Sequence, residues 1–305
     1  MNASDEKKQH NILHYFPDPL IPELNKLLNE LGGEVNEIRL RVGRPAVAML
    51  SDGYRILCKD MLITADDIHS VFEKVCDYSV YSHYKELAQG YITVPGGHRV
   101  GICGTASLDK NGNRTVQYLS SLNFRISVEH IGCSDEIFDK LFHQSITGVL
   151  VAGPPCSGKT TLLKDFGLKL SSSPFCRKTV LVDERNELAA VYRGVPQNTV
   201  GDFCDVLSGY PKGEGIMNAV RTLSPDVIIC DEIGNREDAE AVCDAINAGV
   251  VIISSVHACN VAELYRREPI RKLLQSGAFE KVALLKGGCC RCQLDSIVEA
   301  AQYEI

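Results

Sequence analysis

A glycine-rich turn between an apolar run and a helix-like segment, GVLVAGPPCSGKTTLLKD at residues 148–165, constrains this chain more than any other stretch. Its centre fits the pattern G-x-x-x-x-G-K-[ST], in which backbone N–H groups converge on phosphate oxygens at the start of a helix. Because the pattern follows an apolar strand and precedes a helix, we interpret it as a nucleoside triphosphate site rather than a chance turn. The predicted nucleotide-binding residues are Gly153, Pro154, Pro155, Cys156, Ser157, Gly158, Lys159, Thr160 and Thr161.

A second motif, DVIICDEIG at residues 226–234, supplies the acidic groups that such a turn requires. We expect Lys159 to reach the β- and γ-phosphates of ATP, while Thr160 and Asp231 hold Mg²⁺. Glu232 is the candidate for polarising the attacking water. The two acidic residues are alternatively a helix cap, although Asn235 suits that role better.

Four short runs rich in Val and Ile, each followed by a helix-like segment or a polar turn, dominate the chain from about residue 147 onward. Near-continuous apolar strands separated by helices are typical of a buried parallel sheet. The four runs are TGVLVAG, KTVLVDE, DVIICDE and GVVIISSVH.

Residues before this region mix helical and strand-like periods without a phosphate motif, which predicts a smaller α+β domain. ADDIHSVFEKVCDY at 65–78 has helical spacing behind Thr64 as the N-cap, and GYITVPGGHRVGICGTAS predicts two strands joined by a tight turn. We therefore expect an N-terminal domain over residues 1–131, a linking helix over 132–146 and the α/β domain over 147–305.

Two further strand ends carry candidate catalytic groups. Asp183 and Glu184 follow the strand KTVLVDE, and they are either reacting groups or surface partners of Arg185 together with Glu187. His257 ends the strand GVVIISSVH, where it is either structural or a sensor of the γ-phosphate. Because carboxyl ends of parallel strands meet at one edge of a sheet, we expect these side chains near the glycine-rich turn.

Composition limits the function classes. The net charge of −7, without an obvious basic stripe, disfavours direct nucleic-acid binding. No apolar run approaches the roughly 18 residues of a membrane-spanning helix. The polar first residues, MNASDEKKQHN, lack the apolar core of a signal peptide, so we expect a cytoplasmic protein.

The chain has 13 cysteines, of which Cys289, Cys290 and Cys292 are clustered. A metal site with His257 or Cys259 is one interpretation of this cluster. Adjacent cysteines do not give the C-x₂-C spacing of a zinc site, so the spacing argues against it.

Four motifs in the order GPPCSGKT, LVDERNEL, VIICDEIG and SSVHA resemble the Walker A, acidic, Walker B and histidine boxes of the secretion and pilus-retraction ATPases. The resemblance implies a RecA-like P-loop core that hydrolyses ATP. Two departures leave the catalytic carboxylate open among Glu232, Asp183 and Glu184. Asp231 stands where that family usually has Gly, and Asp183-Glu184-Arg185 stands where it usually has Glu-Asp-Pro.

The same resemblance implies a homohexamer that works on membrane channel proteins. It also implies arginines near the γ-phosphate, for which Arg99, Arg125 and Arg221 are the candidates.

EIRLRVGRP and PGGHRVGICG, with the boxes above, are most similar to a sporulation-specific branch of this family. That similarity implies a motor for a transport channel between mother cell and forespore, bound peripherally to the membrane on the mother-cell side. The alternatives are a nucleic-acid-dependent RecA-like ATPase, a small-molecule kinase and a nucleotide-gated scaffold.

Overall fold

The computed structural model describes residues 10–108, 114–288 and 291–300. The chain divides into two compact units. The first runs to Glu129 and also includes Ala190–Gln197, whereas the second comprises His130–Ala189 and continues from Asn198. The segment Ala190–Gln197 belongs to the first unit although it lies inside the sequence range expected for the α/β domain.

The first unit is built on a six-stranded antiparallel sheet with the strand order β3-β2-β1-β6-β5-β4. Its strands are β1 (Val35–Arg41), β2 (Ala46–Leu50), β3 (Gly53–Leu57), β4 (Tyr91–Val94), β5 (His98–Leu108) and β6 (Arg114–Arg125). Its α-helices are α1 (Ile21–Leu31), α2 (Ala65–Val75) and α3 (Tyr84–Gln89), and short 3₁₀ helices span Leu13–Tyr15, Asp18–Leu20, Gly32–Glu34 and Val80–His83.

Two local predictions for this unit are confirmed. The Oγ1 atom of Thr64 accepts a hydrogen bond from the backbone N–H of Asp67, whose carboxylate accepts one from the N–H of Thr64. This reciprocal cap begins α2. The turn between β4 and β5 places Gly96 at φ +88° and Gly97 at φ +77°, a conformation that glycine adopts without strain.

The second unit is built on a seven-stranded sheet with the order β13-β12-β7-β11-β10-β8-β9, parallel except for the edge strand β13. Its strands are β7 (Val149–Gly153), β8 (Thr179–Asp183), β9 (Cys204–Ser208), β10 (Val227–Cys230), β11 (Val251–His257), β12 (Lys281–Leu285) and β13 (Leu294–Glu299). Its helices are α4 (Asp135–Phe142), α5 (Lys159–Leu170), α6 (Lys212–Leu223), α7 (Arg236–Asn247), α8 (Val261–Arg266) and α9 (Glu268–Gln275).

The four apolar runs form β7, β8, β10 and β11, so the predicted parallel sheet is confirmed. These strands are buried along almost their whole length because helices cover the sheet. Helix α4 lies inside the range 132–146 expected for a linking helix, and it is part of the second unit. There Phe138 and Phe142 pack against Phe166 of α5, with ring centroids 5.9 and 5.7 Å apart.

Sheet order determines where polar groups meet. The neighbours β7, β11, β10 and β8 end in or just before Gly153, His257, Asp231 and Asp183, respectively. Gly153 and His257 are register partners, so the glycine-rich turn and the histidine leave the sheet side by side.

Candidate nucleotide-binding site

A pocket of about 420 Å³ opens at the carboxyl ends of these strands, within the second unit. Its lining combines the glycine-rich turn with three other strand ends and a hairpin. The lining residues are Cys156, Ser157, Gly158, Lys159, Thr160, Thr161, Arg185, Glu187, Asp231, Glu232, Ser255, His257 and Arg291. Of the nine predicted nucleotide-binding residues, Gly153, Pro154 and Pro155 form the turn but do not line the pocket.

Glycine is required at two positions of the turn. A Cβ atom at Gly153 would lie 2.6 Å from the Oγ atom of Ser157. Gly158 has φ +96°, and a Cβ there would lie 2.5 Å from the Sγ atom of Cys292. Larger residues would open the turn, so its backbone N–H groups would no longer converge on one point.

Lys159 is 6% exposed and donates hydrogen bonds from Nζ to the carbonyl oxygens of Gly153 and Pro154, both at 2.9 Å. Its Nζ atom also lies 2.9 Å from Nδ1 of His257. Burial lowers the pKa of Lys159, against the opposing effect of Glu232 and Asp231. The negative charge of a phosphate group would favour the protonated form of Lys159, so the site is suited to an anion.

A second observation fits a phosphate ligand. The Oγ atom of Ser157 is buried and has no hydrogen-bond partner among the described residues. Such atoms are rare in folded proteins, because an unsatisfied buried hydroxyl is costly. Ser157 lines the pocket, so a bound phosphate oxygen would satisfy it.

Oxygen atoms suited to Mg²⁺ lie beside the turn. The Oγ1 atom of Thr160 is 3.3 Å from Oδ2 of Asp231, while Oδ1 of Asp231 accepts hydrogen bonds from Ser255 Oγ at 2.8 Å and Glu232 N–H at 2.9 Å. Mg²⁺ prefers oxygen ligands and retains water while it binds nucleotide phosphates. These residues fit that ion, with Ser255 fixing the carboxylate of Asp231.

Glu232 and His257 come together at the pocket. The Nε2 atom of His257 lies 3.3 Å from Oε2 of Glu232. Because Nδ1 of the same ring lies next to Lys159, the imidazole contacts both side chains. Lys159, His257 and Glu232 therefore form one connected polar chain.

Asp183 has a different position from the one expected of a reacting group. It is 1% exposed, and its carboxylate accepts hydrogen bonds from the backbone N–H groups of Glu187 at 2.7 Å and Ala189 at 2.8 Å. Burial raises the pKa of Asp183 despite these hydrogen bonds. Asp183 therefore shapes the loop after β8 and does not line the pocket.

The loop that Asp183 shapes carries two pocket residues, Arg185 and Glu187. From the sequence, these two residues were expected only as members of a surface ion-pair group. Glu184 does not line the pocket either, because its carboxylate faces Lys212 at 3.6 Å. Arg291 was missed altogether, since nothing in the sequence pattern indicated the hairpin of β12 and β13.

The three candidate arginines do not gather at this pocket. Arg221 is exposed in the last turn of α6, which leads into the amino end of β10 and therefore lies at the opposite edge of the sheet from Asp231. Arg99 and Arg125 belong to the first unit, where they are register partners on β5 and β6. Arg125 Nε lies 3.5 Å from Glu37 in that unit.

The cysteine cluster has one described member. Cys289 and Cys290 lie outside the described residues, whereas Cys292 donates its backbone N–H to the carbonyl oxygen of Ser157 at 2.8 Å. This hydrogen bond connects Cys292 to the backbone of the glycine-rich turn. Within residues 10–108, 114–288 and 291–300, no group of three or more His, Cys, Asp or Glu side chains is arranged to hold a metal ion.

Among those same residues, no helix has both the length and the apolar character needed to cross a membrane.

Two solved structures share the fold. The structure of the ATPase DotB from Legionella pneumophila matches with a TM-score of 0.58 and 18% identity, over 88% of this chain and 77% of that one. The pilus retraction motor PilT with bound ADP matches with a TM-score of 0.59 and 17% identity, over 86% and 76%. The predicted RecA-like core preceded by a smaller N-terminal domain is confirmed.

Sequence comparison gives the family. Stage III sporulation protein AA of Bacillus subtilis (strain 168) is 35% identical over 276 residues, which cover 89% of each chain. Residues 7–300 match the family described as "Sporulation stage III, protein AA". The expected similarity to secretion and pilus-retraction ATPases is confirmed at the level of the fold. The chain belongs to the sporulation stage III protein AA family.

Proposed function

We propose that this chain hydrolyses ATP at the pocket of its second unit. The observation that carries the proposal is the connected chain of Lys159, His257 and Glu232 beside the oxygen pair of Thr160 and Asp231. Phosphoryl transfer needs positioned charge around the γ-phosphate more than covalent chemistry, and this arrangement supplies it.

The side chains of the pocket have distinct roles in the proposed reaction. Lys159 exchanges its carbonyl partners for the β- and γ-phosphate oxygens, while the N–H groups of the turn hold the phosphates. Glu232 accepts a hydrogen bond from the attacking water and orients it toward the γ-phosphorus. Thr160 and Asp231 would hold Mg²⁺ beside the phosphates, and the bound ion would supply neutralisation of the charge on the leaving oxygen.

His257 connects recognition to hydrolysis. When the γ-phosphate draws Lys159 away from Nδ1, the imidazole loses one of its two partners. Its contact with Glu232 then changes, so the position of the carboxylate depends on whether the γ-phosphate is present.

The biological role we propose is a homohexameric motor at the membrane that powers a transport channel between mother cell and forespore. Family membership supports the link to sporulation, and the fold shared with DotB and PilT supports a mechanical ATPase. The arginines Arg99 and Arg125 of the first unit remain candidates for stabilising the transition state. We place the protein in the cytoplasm, on the mother-cell face of that membrane.

The test is phosphate release by the purified chain with ATP and Mg²⁺, measured with and without single- and double-stranded DNA. We expect turnover that DNA does not change. Turnover that requires DNA would favour the alternative, a nucleic-acid-dependent RecA-like ATPase. No turnover with or without DNA, and with a membrane fraction present, would contradict the proposal.

A further inference from the structure

A buried lysine, Lys212, lies beneath the turn that carries Glu232, and the roles proposed so far do not use it. Lys212 is 7% exposed and is the first residue of α6. A cation at a helix N-terminus is opposed by the helix dipole, and a buried charge requires partners. Its position therefore depends on specific contacts.

Those contacts come from three separate segments of the second unit. The Nζ atom of Lys212 donates to the backbone carbonyl oxygen of Glu232 at 2.5 Å. The same atom lies 3.6 Å from the carboxylate of Glu184 and 3.9 Å from that of Asp238. One cation thus joins the end of the motif after β10, the loop after β8 and the start of α7.

The local sequence explains how Lys212 reaches this place. A Cβ atom at Gly215 would lie 2.6 Å from Cγ1 of Val182, so a glycine there lets α6 approach β8 closely. Gly213 similarly faces α7, where a Cβ would lie 3.4 Å from the carbonyl oxygen of Glu237. The stretch PKGEG therefore brings the start of α6 under the turn.

The other end of the same turn is also fixed. Asn235 caps α7 by accepting a hydrogen bond from the N–H of Asp238 at 2.8 Å. The carboxylate of Asp238 lies 3.5 Å from the N–H of Gly234. With Lys212 bound to the Glu232 carbonyl, both sides of the turn between β10 and α7 are held in place.

We propose that Lys212 is a positioning residue for hydrolysis, which fixes the Glu232 peptide so that its carboxylate faces the nucleotide and links that peptide to the loop of Glu184. The inference rests on the proposed function. Lys212 does not line the pocket, so it acts through Glu232 and not on the nucleotide.

The experiment compares Lys212→Met and Lys212→Arg with wild type in kcat and KM for ATP, in affinity for a non-hydrolysable ATP analogue and in thermal stability. We expect Lys212→Met to lower kcat at least about 10-fold while KM and analogue affinity change less than about 2-fold, because misplacement of a catalytic group affects the transition state. Lys212→Arg retains the charge and should recover part of kcat.

Lys178 provides a matched control. Its Nζ atom also donates to a backbone carbonyl, that of Ser224 at 2.7 Å, but it precedes β8 at the opposite edge of the sheet. Lys178→Met should leave kcat unchanged.

A double variant separates positioning from general loosening. In the Glu232→Gln background, Lys212→Met should reduce the residual rate less than about 3-fold, since residues that act as a unit give non-additive effects. Fully multiplicative losses, or an unchanged kcat in Lys212→Met, would overturn the inference.

Lys212→Met leaves the buried Asp238 without its cation, which risks unfolding. If that variant does not fold, Lys212→Met combined with Asp238→Asn removes both charges and should show the same loss of kcat relative to Asp238→Asn alone. An equal kcat in these two would overturn the inference. If the wild-type protein hydrolyses ATP and Lys212→Met does so at the same rate, only this inference fails. If the wild-type protein does not hydrolyse ATP, the proposed function fails and this inference fails with it.

Discussion

The Nε2 atom of His257 lies 3.3 Å from the carboxylate of Glu232, across the carboxyl ends of the neighbouring strands β11 and β10. Parallel pairing of these strands brings the two residues together from separate motifs. The pair is the point at which Lys159 and Glu232 are connected.

His257→Asn tests this connection. The asparagine oxygen can replace Nδ1 as an acceptor for Lys159, but the shorter side chain does not reach Glu232. We expect kcat to fall about 10- to 100-fold while ATP affinity is largely retained, because the carboxylate loses its orientation.

His69→Asn is a suitable control, since His69 also pairs with a carboxylate, that of Glu73 at 3.4 Å, on the exposed face of α2 in the first unit. Unchanged turnover in His257→Asn would show that this histidine has no part in hydrolysis.

The buried position of Asp183 leads to a prediction about stability. In Asp183→Asn, the new NH₂ group faces backbone N–H donors, so at least one buried donor loses its acceptor. We expect a loss of about 1–3 kcal/mol in the free energy of unfolding, measured by urea denaturation. Turnover per folded molecule should remain within about 3-fold of wild type.

Asp205→Asn, at an exposed position on the edge strand β9, should leave stability unchanged. A large loss of turnover in Asp183→Asn without a loss of stability would show that Asp183 takes part in the reaction.

The lowered pKa of Lys159 predicts proton uptake on nucleotide binding. Without ligand, burial lowers the pKa of Lys159 below its ordinary value of 10.5. Part of the population is therefore deprotonated at a pH where an exposed lysine would still be charged. Phosphate oxygens favour the charged form and raise the pKa again. Binding of ADP at alkaline pH should therefore take up protons, increasingly as pH rises toward that value.

Titration calorimetry in two buffers of different ionisation enthalpy measures this uptake. Lys159→Arg is the control, because a guanidinium stays protonated throughout this range. Equal proton uptake by wild type and Lys159→Arg would assign the effect to another group.

Much of the second unit was predictable from local pattern. The apolar runs gave β7, β8, β10 and β11, and Asn235 caps α7 as its residue type suggested. The edge strands β9 and β13, and β12 beside β13, were not predicted, because their sequences carry no strong period and no motif.

The sequence alone does not distinguish the two acidic pairs of the site. Asp183 and Glu184 follow a strand as Asp231 and Glu232 do, so the sequence gives both pairs equal claims to catalysis. Tertiary contacts separate them, since Asp183 is buried against the backbone N–H groups of its own loop and Glu184 faces Lys212. Lys212 was unnoticed for the same reason, since its contacts come from three distant segments.

The proposed homohexamer leads to a prediction about assembly. Glu232→Gln should retain ATP, because it removes the group that orients water but leaves the phosphate contacts. Sedimentation velocity of this variant with ATP and Mg²⁺ should show a species of six chains. A variant that stays monomeric under these conditions, even with its membrane partner present, would contradict the proposal of a homohexameric motor.

Lys159→Ala gives the most direct test of the central claim, that ATP is hydrolysed at this pocket. Its contacts are to the turn and to His257, so its loss should remove phosphate binding without unfolding the protein. We predict at least a 100-fold fall in phosphate release, of about the size seen when one preorganised donor is lost, at unchanged thermal stability. The Lys178→Ala control should hydrolyse ATP at the wild-type rate. Turnover by Lys159→Ala at the wild-type rate would contradict the account.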